Sequence, residues 1–200
     1  MAKVRTKQVR QIGILVRDLE KSAAAFERFL GVKADYIGVT ESYEVTRQEL
    51  WGKPCYGRCY QALFNLDNIQ IELVSPYGEG DSVWKECLER DGEGLHHLAF
   101  KTNDIKEAIK DMEGRSNAGL IQYGTWPDSP KDGQYAYMDV RSEIKTIVEL
   151  LEADEGGFTG SVVAEDSNKL PRLHLKVDPV KRRDLADGPA LLIPSHKMMF

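Results

Sequence analysis

Two side chains able to bind a metal ion open matching apolar segments of this sequence, and a lone carboxylate lies inside each of two later apolar segments. Gln11 opens the first segment, and His97 opens a similar one 86 residues further along the chain. Glu72 and Glu149 each interrupt an apolar run. A buried carboxylate is costly unless it is paired or ligates a cation. Two such side chains per repeat therefore predict one metal ion held between two copies of a small module.

The donor types limit the chemistry of this predicted site. Amide oxygen, carboxylate and imidazole donors suit a divalent ion such as Co²⁺, Mn²⁺, Ni²⁺, Zn²⁺ or Mg²⁺, and the sequence does not choose among them. An octahedral ion with four protein ligands keeps two positions open, which suits a substrate that chelates through two oxygens, or through one oxygen and a water. Each residue also has a purely structural interpretation, but the matching positions in the two repeats favour a metal site.

The elements that must position these residues follow the same order, βαβββ, in both halves of the chain. Apolar patterns predict strands at 10–16, 34–39, 58–66 and 69–74 in the first half, and at 95–101, 120–123, 134–140 and 145–151 in the second. Asp18 and Asp104 are placed to cap the helix of each half, and Gly31 is placed to end the first of these helices. A further short helix is predicted at 81–90.

The two candidate ligands of each half are spaced differently. Their separation is 61 residues in the first half and 52 in the second, so the first half carries an insertion, which we place at 41–57. We therefore expect an α+β fold in which two tandem βαβββ modules, about 8–78 and 94–153, form a curved mixed sheet around the metal site.

Composition bounds the domain organisation and the partners. The 200 residues, 42% of them apolar, suffice for a domain at 1–155, whereas 156–200 fit neither repeat and are expected to form a C-terminal extension that packs on the core or on a partner subunit, or is partly disordered. A net charge of −5 without a basic block argues against nucleic acid as a partner. Without a signal peptide or an apolar run of ~18 residues, we expect a cytoplasmic protein that does not enter membranes. The odd number of cysteines predicts free thiols at Cys55, Cys59 and Cys87.

Four segments of the sequence, QIGILVRDLEKS, NIQIELVSP, GLHHLAFKTNDI and IVELLE, carry a resemblance to a known family. They resemble the vicinal oxygen chelate (glyoxalase/bleomycin resistance/dioxygenase) superfamily, and within it methylmalonyl-CoA epimerase and its relatives. The resemblance covers residues 9–153. It implies that Gln11, Glu72, His97 and Glu149 are the metal ligands, although the family usually has a histidine at the position of Gln11.

The same resemblance raises the question of the catalytic base. Epimerases of this family remove a proton next to a carbonyl with a carboxylate on the third strand of the first repeat, and our register places Gln61 there. An amide cannot act as a base. Three glutamates of the insertion are alternatives: Glu41, Glu44 and Glu49. Glyoxalase-type relatives use a metal-bound glutamate for proton transfer, which makes Glu149 our predicted catalytic residue.

Substrate contacts are expected near the insertion and the third strand. Trp51, Tyr60 and Gln61 are our predicted substrate-binding residues. Two aromatic residues of this set, Trp51 and Tyr60, belong with Tyr56 and Trp126 to a group that has two interpretations. These four side chains either line an aromatic pocket or are ordinary core and loop residues. Strand alternation predicts that His96 faces away from its neighbour His97.

These features predict a metal-dependent racemase or epimerase that abstracts a proton next to a carbonyl. Its small-molecule substrate is expected to be methylmalonyl-CoA-like, or a related ketone such as an isoflavanone. A glyoxalase-type isomerase or lyase on the same scaffold and a metal-free small-molecule binding protein are the alternatives. The resemblance also implies a homodimer.

Overall fold

The computed structural model of the chain describes residues 8–115, 118–126 and 133–153. The predicted extension at 156–200 lies outside the described residues, and the domain boundary at 155 stays a prediction. The strands are β1 (Val9–Leu15), β2 (Tyr36–Val39), β3 (Glu49–Leu50), β4 (Lys53–Pro54), β5 (Arg58–Asn65), β6 (Gln70–Tyr77), β7 (Gly94–Lys101), β8 (Gly119–Trp126), β9 (Gly133–Asp139) and β10 (Ile147–Glu152). The helices are α1 (Leu19–Leu30), α2 (Tyr43–Thr46), α3 (Val83–Asp91), α4 (Ile105–Arg115) and α5 (Arg141–Ile144).

The two long helices begin where the sequence predicts. The side chain of Asp18 accepts a hydrogen bond from the backbone N–H of Lys21, which fixes the first turn of α1. Asp104 accepts in the same way from the N–H of Glu107 at the start of α4, at 2.9 Å. Gly31 ends α1 with a φ of 73°, a left-handed conformation that glycine adopts without steric cost.

All ten strands belong to one mixed sheet in the order β2-β5-β6-β1-β7-β10-β9-β8-β3-β4. Strands β1 and β7, the first strands of the two halves, pair antiparallel at the centre. Each is flanked on its outer side by the last strand of its own half, β6 or β10, in a parallel pair. The four candidate ligands therefore lie on four adjacent strands, β6-β1-β7-β10, and the expected tandem βαβββ arrangement is confirmed.

The sheet must curl strongly because of the insertion, which lies between β2 and β5 as predicted. It contains α2, β3 and β4, and β3 pairs with β8 of the other half. Eight strand spacings separate β4 from β5 in the sheet order, which would be ~38 Å in a flat sheet. The chain from Pro54 to Arg58 spans at most ~15 Å. The two ends of the sheet are thus drawn together, and the concave face is enclosed.

The helices distribute over the two faces of the curled sheet. Helix α1 packs on β5 and β6 through a cluster that includes Phe64 and Leu73, and α4 packs on β9 and β10 through one that includes Met138 and Leu150. By strand alternation, Glu72 and Glu149 lie on the opposite, concave face. Helix α3 covers part of that face: its Val83, Trp84, Cys87 and Leu88 pack with Leu15, Cys59, Val74, Ile121, Tyr137 and Ile147.

Several element boundaries differ from the sequence prediction, and the structure gives a physical reason for two of the differences. Strand β6 continues past Val74 through Pro76 to Tyr77. Its neighbour β1 ends at Leu15, opposite Val74, so the missing N–H of Pro76 costs no bond on that side. Strand β10 begins at Ile147, later than predicted, because α5 and a left-handed Lys145 precede it.

Two further predictions concern cysteines and membranes. All three cysteines are buried free thiols, as expected. None of the helices in the described part of the chain is both long and apolar enough to span a membrane.

Gly13 at the centre of β1 is required by close packing. It lies opposite His97, and a Cβ atom built at this position would overlap the imidazole ring. Gly119 on β8 is a contrasting case, because a Cβ there would meet no atom within 4 Å.

We predict that Gly13→Ala lowers the free energy of unfolding by about 1–3 kcal/mol, because the added methyl group forces the His97 ring or the β1 backbone to move. Gly119→Ala is the matched control and should change it by less than about 0.5 kcal/mol. Urea denaturation of both variants measures the difference. Equal effects of the two substitutions would contradict this description of the packing.

Candidate functional site

The candidate ligands on β1 and β7 occupy equivalent positions in the two halves. In this antiparallel pair Gln11 lies opposite Ala99, and His97 lies opposite Gly13. Ala99 follows His97 by two positions, just as Gly13 follows Gln11. Each long polar side chain therefore has a small residue of the other half beside it, which leaves room at the centre of the concave face.

The two carboxylates approach the same centre from the flanking strands. Glu72 on β6 lies beside Gly13, and Glu149 on β10 lies beside Ala99. Both glutamates are at least nine-tenths buried. The two small residues thus adjoin all four candidate ligands.

The structure brings all four predicted residues together around one atom. The Nε2 atom of His97 lies 3.3 Å from Oε2 of Glu72 and 3.2 Å from Oε2 of Glu149. It lies 3.2 Å from Oε1 of Gln11. The His97 side chain is completely buried. One imidazole and three oxygen donors, two from each half, therefore share a buried position.

Electrostatics make this group short of positive charge. The Oε2 atoms of Glu72 and Glu149 are buried without a hydrogen bond. Burial raises the pKa of Glu72, because it disfavours the charged carboxylate. Burial alone would lower the pKa of His97, but the Glu149 and Glu72 carboxylates raise it to about 10. The Oε2 atoms of both carboxyl groups still lack a hydrogen bond, and a cation would satisfy them.

The donor set also fits a small divalent cation in size and chemistry. Across the described ranges, no group of three or more His, Cys, Asp or Glu side chains is arranged so that it could hold a metal ion without side-chain movement. Yet the distances around His97 Nε2 are close to the ~3.0 Å between adjacent donors of an octahedral ion with ~2.1 Å bonds. Small shifts of the side chains would place an ion among them, and the mixed imidazole and oxygen set suits a transition metal.

His96 lies beside this group, and the prediction that it faces away from His97 is wrong. The pairing of β7 with β1 jumps from His97 to Leu95, so a β-bulge at His96 suspends the alternation of side chains. Both histidines are buried, and their Nδ1 atoms lie 2.9 Å apart. Burial lowers the pKa of His96 well below its ordinary value, so this ring is neutral. A neutral His96 can accept the Nδ1–H of His97, which leaves His97 Nε2 as the atom facing the oxygens.

The predicted substrate-binding residues lie in three different places. Gln61 is on the concave face of β5, where its Oε1 accepts a weak hydrogen bond from the Cys59 thiol at 3.8 Å. Tyr60 packs on the α1 side of the sheet, away from the face that carries the four residues, because adjacent strand residues point to opposite faces. Trp51 is half-exposed on the β3–β4 turn, where its indole N–H donates to Glu86 at 3.2 Å, and the structure does not bring it to the four residues.

None of the three insertion glutamates is positioned as a base. Glu41, Glu44 and Glu49 are all exposed. Glu44 accepts a hydrogen bond from the Ser42 hydroxyl at 2.6 Å, which lowers the pKa of Glu44 and favours its charged form in water. Among the candidates, Glu149 is the one that lies at the shared position.

The aromatic side chains beside the site come from β9 and were missed in the sequence. Tyr137 lies opposite Glu149, and its ring packs against His96 and His97 with centroid distances of 5.4 and 5.1 Å. Alternation along β9 from the predicted strand boundaries could have identified it. The predicted aromatic Tyr56 is instead exposed, and its ring packs at a tilt against Tyr43 with a centroid distance of 4.7 Å.

A buried polar network ties the insertion to the second half of the sheet. Gln122 on β8 accepts from the N–H of Val83 at 2.9 Å and donates to the Tyr135 hydroxyl at 3.0 Å. That hydroxyl donates to Oε1 of Gln48, whose amide nitrogen donates to the carbonyl of Gly57. The insertion is thereby held in place on the concave side, and nothing in the sequence pattern marked these glutamines.

Comparisons with known proteins agree with this architecture. Residues 10–137 match the family model described as Glyoxalase/Bleomycin resistance protein/Dioxygenase superfamily. The chain is 26% identical over 142 residues to the uncharacterized protein YqjC of Bacillus subtilis, spanning 70% of this chain and 89% of that protein. It is 26% identical over 128 residues to the ethylmalonyl-CoA/methylmalonyl-CoA epimerase of Cereibacter sphaeroides, spanning 64% of this chain and 81% of that one. A Streptomyces coelicolor methylmalonyl-CoA epimerase variant in complex with 2-nitronate-propionyl-CoA shares the fold, with 19% identity, a TM-score of 0.52 and coverage of 74% and 96%.

We predict a specific pH dependence of stability for the chelator-treated protein. The folded pKa of His97, about 10, exceeds its ordinary value of 6.5, so this residue stabilises the fold fully below pH 6.5 and progressively less as pH rises toward 10. The loss is at most about 1.4 kcal/mol per pH unit. Urea unfolding at pH 6.5 and pH 9 should therefore show a steeper decline for the wild type than for His97→Gln. Parallel declines would contradict the stabilisation of a charged His97 by the two neighbouring carboxylates.

Proposed function

Because this chain belongs to the glyoxalase/bleomycin resistance protein/dioxygenase superfamily, we propose that it is a metal-dependent racemase or epimerase acting next to a carbonyl group. The observation that supports this most is the convergence of three buried oxygen atoms on Nε2 of His97, at 3.2–3.3 Å. Two of those oxygens make no hydrogen bond. A site built to leave carboxylates unpartnered is better suited to a cation than to structural stability.

In this proposal the four side chains hold the ion, and Glu149 also moves the proton. A bound divalent cation supplies Lewis-acid polarisation of the substrate carbonyl. Glu149 accepts the proton from the neighbouring carbon, since it is the one of the predicted bases that lies at the shared position beside His97. A proton from solvent water, delivered to the opposite face of that carbon, inverts the centre, and the proton held by Glu149 returns to solvent. General base catalysis of this kind contributes about 10²–10⁴-fold.

The proposed substrate is a small carbonyl compound with an acidic neighbouring C–H bond. The relative from Cereibacter sphaeroides is named for ethylmalonyl-CoA and methylmalonyl-CoA, which makes short branched acyl-CoA thioesters the first class to test. Related ketones such as isoflavanones are the second class. Tyr137 and Gln61, which share the concave face with the ligands, are the residues we expect such a substrate to meet.

A glyoxalase-type isomerase is the second candidate function, and the amide at position 61 favours it. Gln61 stands where epimerase relatives are expected to carry their base and cannot take up a proton, which leaves Glu149 as the base. Proton transfer by a metal-bound glutamate is the arrangement implied by the resemblance to glyoxalase-type enzymes. The two candidates differ in product: an epimerase returns its substrate with one centre inverted, whereas the isomerase forms a constitutional isomer.

We predict that metal-loaded protein incorporates solvent deuterium into recovered substrate at the carbon next to the carbonyl. Glu149→Gln should lower the exchange rate about 10²–10⁴-fold, because the base is lost. His97→Ala should lose both exchange and bound metal. Mass spectrometry of the substrate and metal analysis of the protein measure these effects.

The matched control for this experiment is Glu143→Gln, the same chemical change at an exposed residue of α5. It should leave both metal content and exchange unchanged. Exchange that persists in the presence of a strong chelator, or that survives Glu149→Gln at the wild-type rate, would contradict the proposed mechanism.

A further inference from the structure

A glutamine at a ligand position has a requirement that histidine and glutamate lack. Its side chain ends in one acceptor oxygen and one donor nitrogen, and only the oxygen can bind a cation. At Gln11 the wrong orientation is attractive, because an amide nitrogen turned toward the centre could donate to the Oε2 atoms of Glu72 and Glu149, which lack hydrogen bonds. Something must therefore hold the Gln11 amide with its oxygen inward.

Three amide side chains lie side by side on neighbouring strands of the concave face. Asn65 on β5 is paired directly with Gln70 on β6, and Gln70 is paired directly with Gln11 on β1. Both glutamines are more than nine-tenths buried. The cross-strand register thus forms a row of amides that ends at the candidate metal centre.

Two hydrogen bonds along this row run in the same direction. The amide nitrogen of Gln70 donates to Oδ1 of Asn65 at 2.8 Å, which turns the Gln70 oxygen toward β1. The amide nitrogen of Gln11 donates to that oxygen at 2.5 Å. Oε1 of Gln11 consequently points inward and lies 3.2 Å from Nε2 of His97.

We propose that Gln70, supported by Asn65, is a positioning residue that presents the oxygen of Gln11 to the metal ion; this inference rests on the proposed function. Without an acceptor at position 70, the buried Gln11 nitrogen loses its partner. It regains partners by turning toward Glu72 and Glu149, which places a donor at the ligand position. The row of amides is therefore what allows a glutamine to serve as a metal ligand in this chain.

The test measures Co²⁺ binding by calorimetry and by the visible absorption spectrum of the Co²⁺-loaded protein. Gln70→Leu should weaken Co²⁺ affinity about 10- to 100-fold and change the spectrum, because the Gln11 oxygen leaves the coordination sphere. Gln70→Met fills a similar volume without an amide and should have the same effects. It takes the place of Gln70→Leu if the leucine variant does not fold. Gln70→Glu, which keeps an acceptor facing Gln11, should restore the wild-type spectrum.

Two controls separate positioning from general damage. Gln122→Leu removes an equally buried amide from the separate network with Tyr135, and it should lower stability without changing the Co²⁺ spectrum. Adding Gln70→Leu to Gln11→Ala should cause no further loss of affinity, because the two residues act on one ligand. Additive losses would overturn the proposal.

The outcomes also distinguish this inference from the proposed function. Failure of the wild type to bind Co²⁺ would overturn both. Binding by the wild type together with an unchanged affinity and spectrum in folded Gln70→Leu or Gln70→Met would overturn only the role of Gln70.

Discussion

The contact on which the site depends is the approach of three oxygen atoms to one buried imidazole nitrogen. Burying Glu72 and Glu149 beside His97 is unfavourable in the absence of compensating charge, and it is possible sterically only because Gly13 and Ala99 are small. Both small residues and all four donors lie at equivalent strand positions in the two halves. The proposed metal chemistry therefore follows from the matching strand register of the two halves of the chain.

The surrounding sheet determines how that contact is shielded from water. The three residues between Pro54 and Arg58 join two ends of a ten-stranded sheet, so the sheet closes toward a barrel. A buried network through Gln48 and Tyr135 holds the insertion against the second half. Exclusion of water strengthens electrostatic interactions, which is the condition under which a polarised carbonyl and a carboxylate base are most effective.

The sequence predicted the fold class, the duplicated order of elements and the four converging residues, because these depend on period and register. The sequence did not predict the features that depend on packing between distant segments of the chain. The bulge that turns His96 beside His97 and the pairing of β3 with β8 leave no local pattern. The placement of Tyr60 does follow a local pattern, since Tyr60 and Gln61 are neighbours on one strand and face opposite sides of the sheet.

The most direct test of the central claim is anomalous diffraction from crystals of the protein grown with Co²⁺. We predict one strong anomalous peak per chain on the concave face, with Nε2 of His97 and oxygens of Gln11, Glu72 and Glu149 at ~2.0–2.3 Å from it. A Co²⁺ peak bound by other residues would contradict the account. The absence of any anomalous peak, in crystals supplied with enough Co²⁺ to fill the site, would contradict it as well.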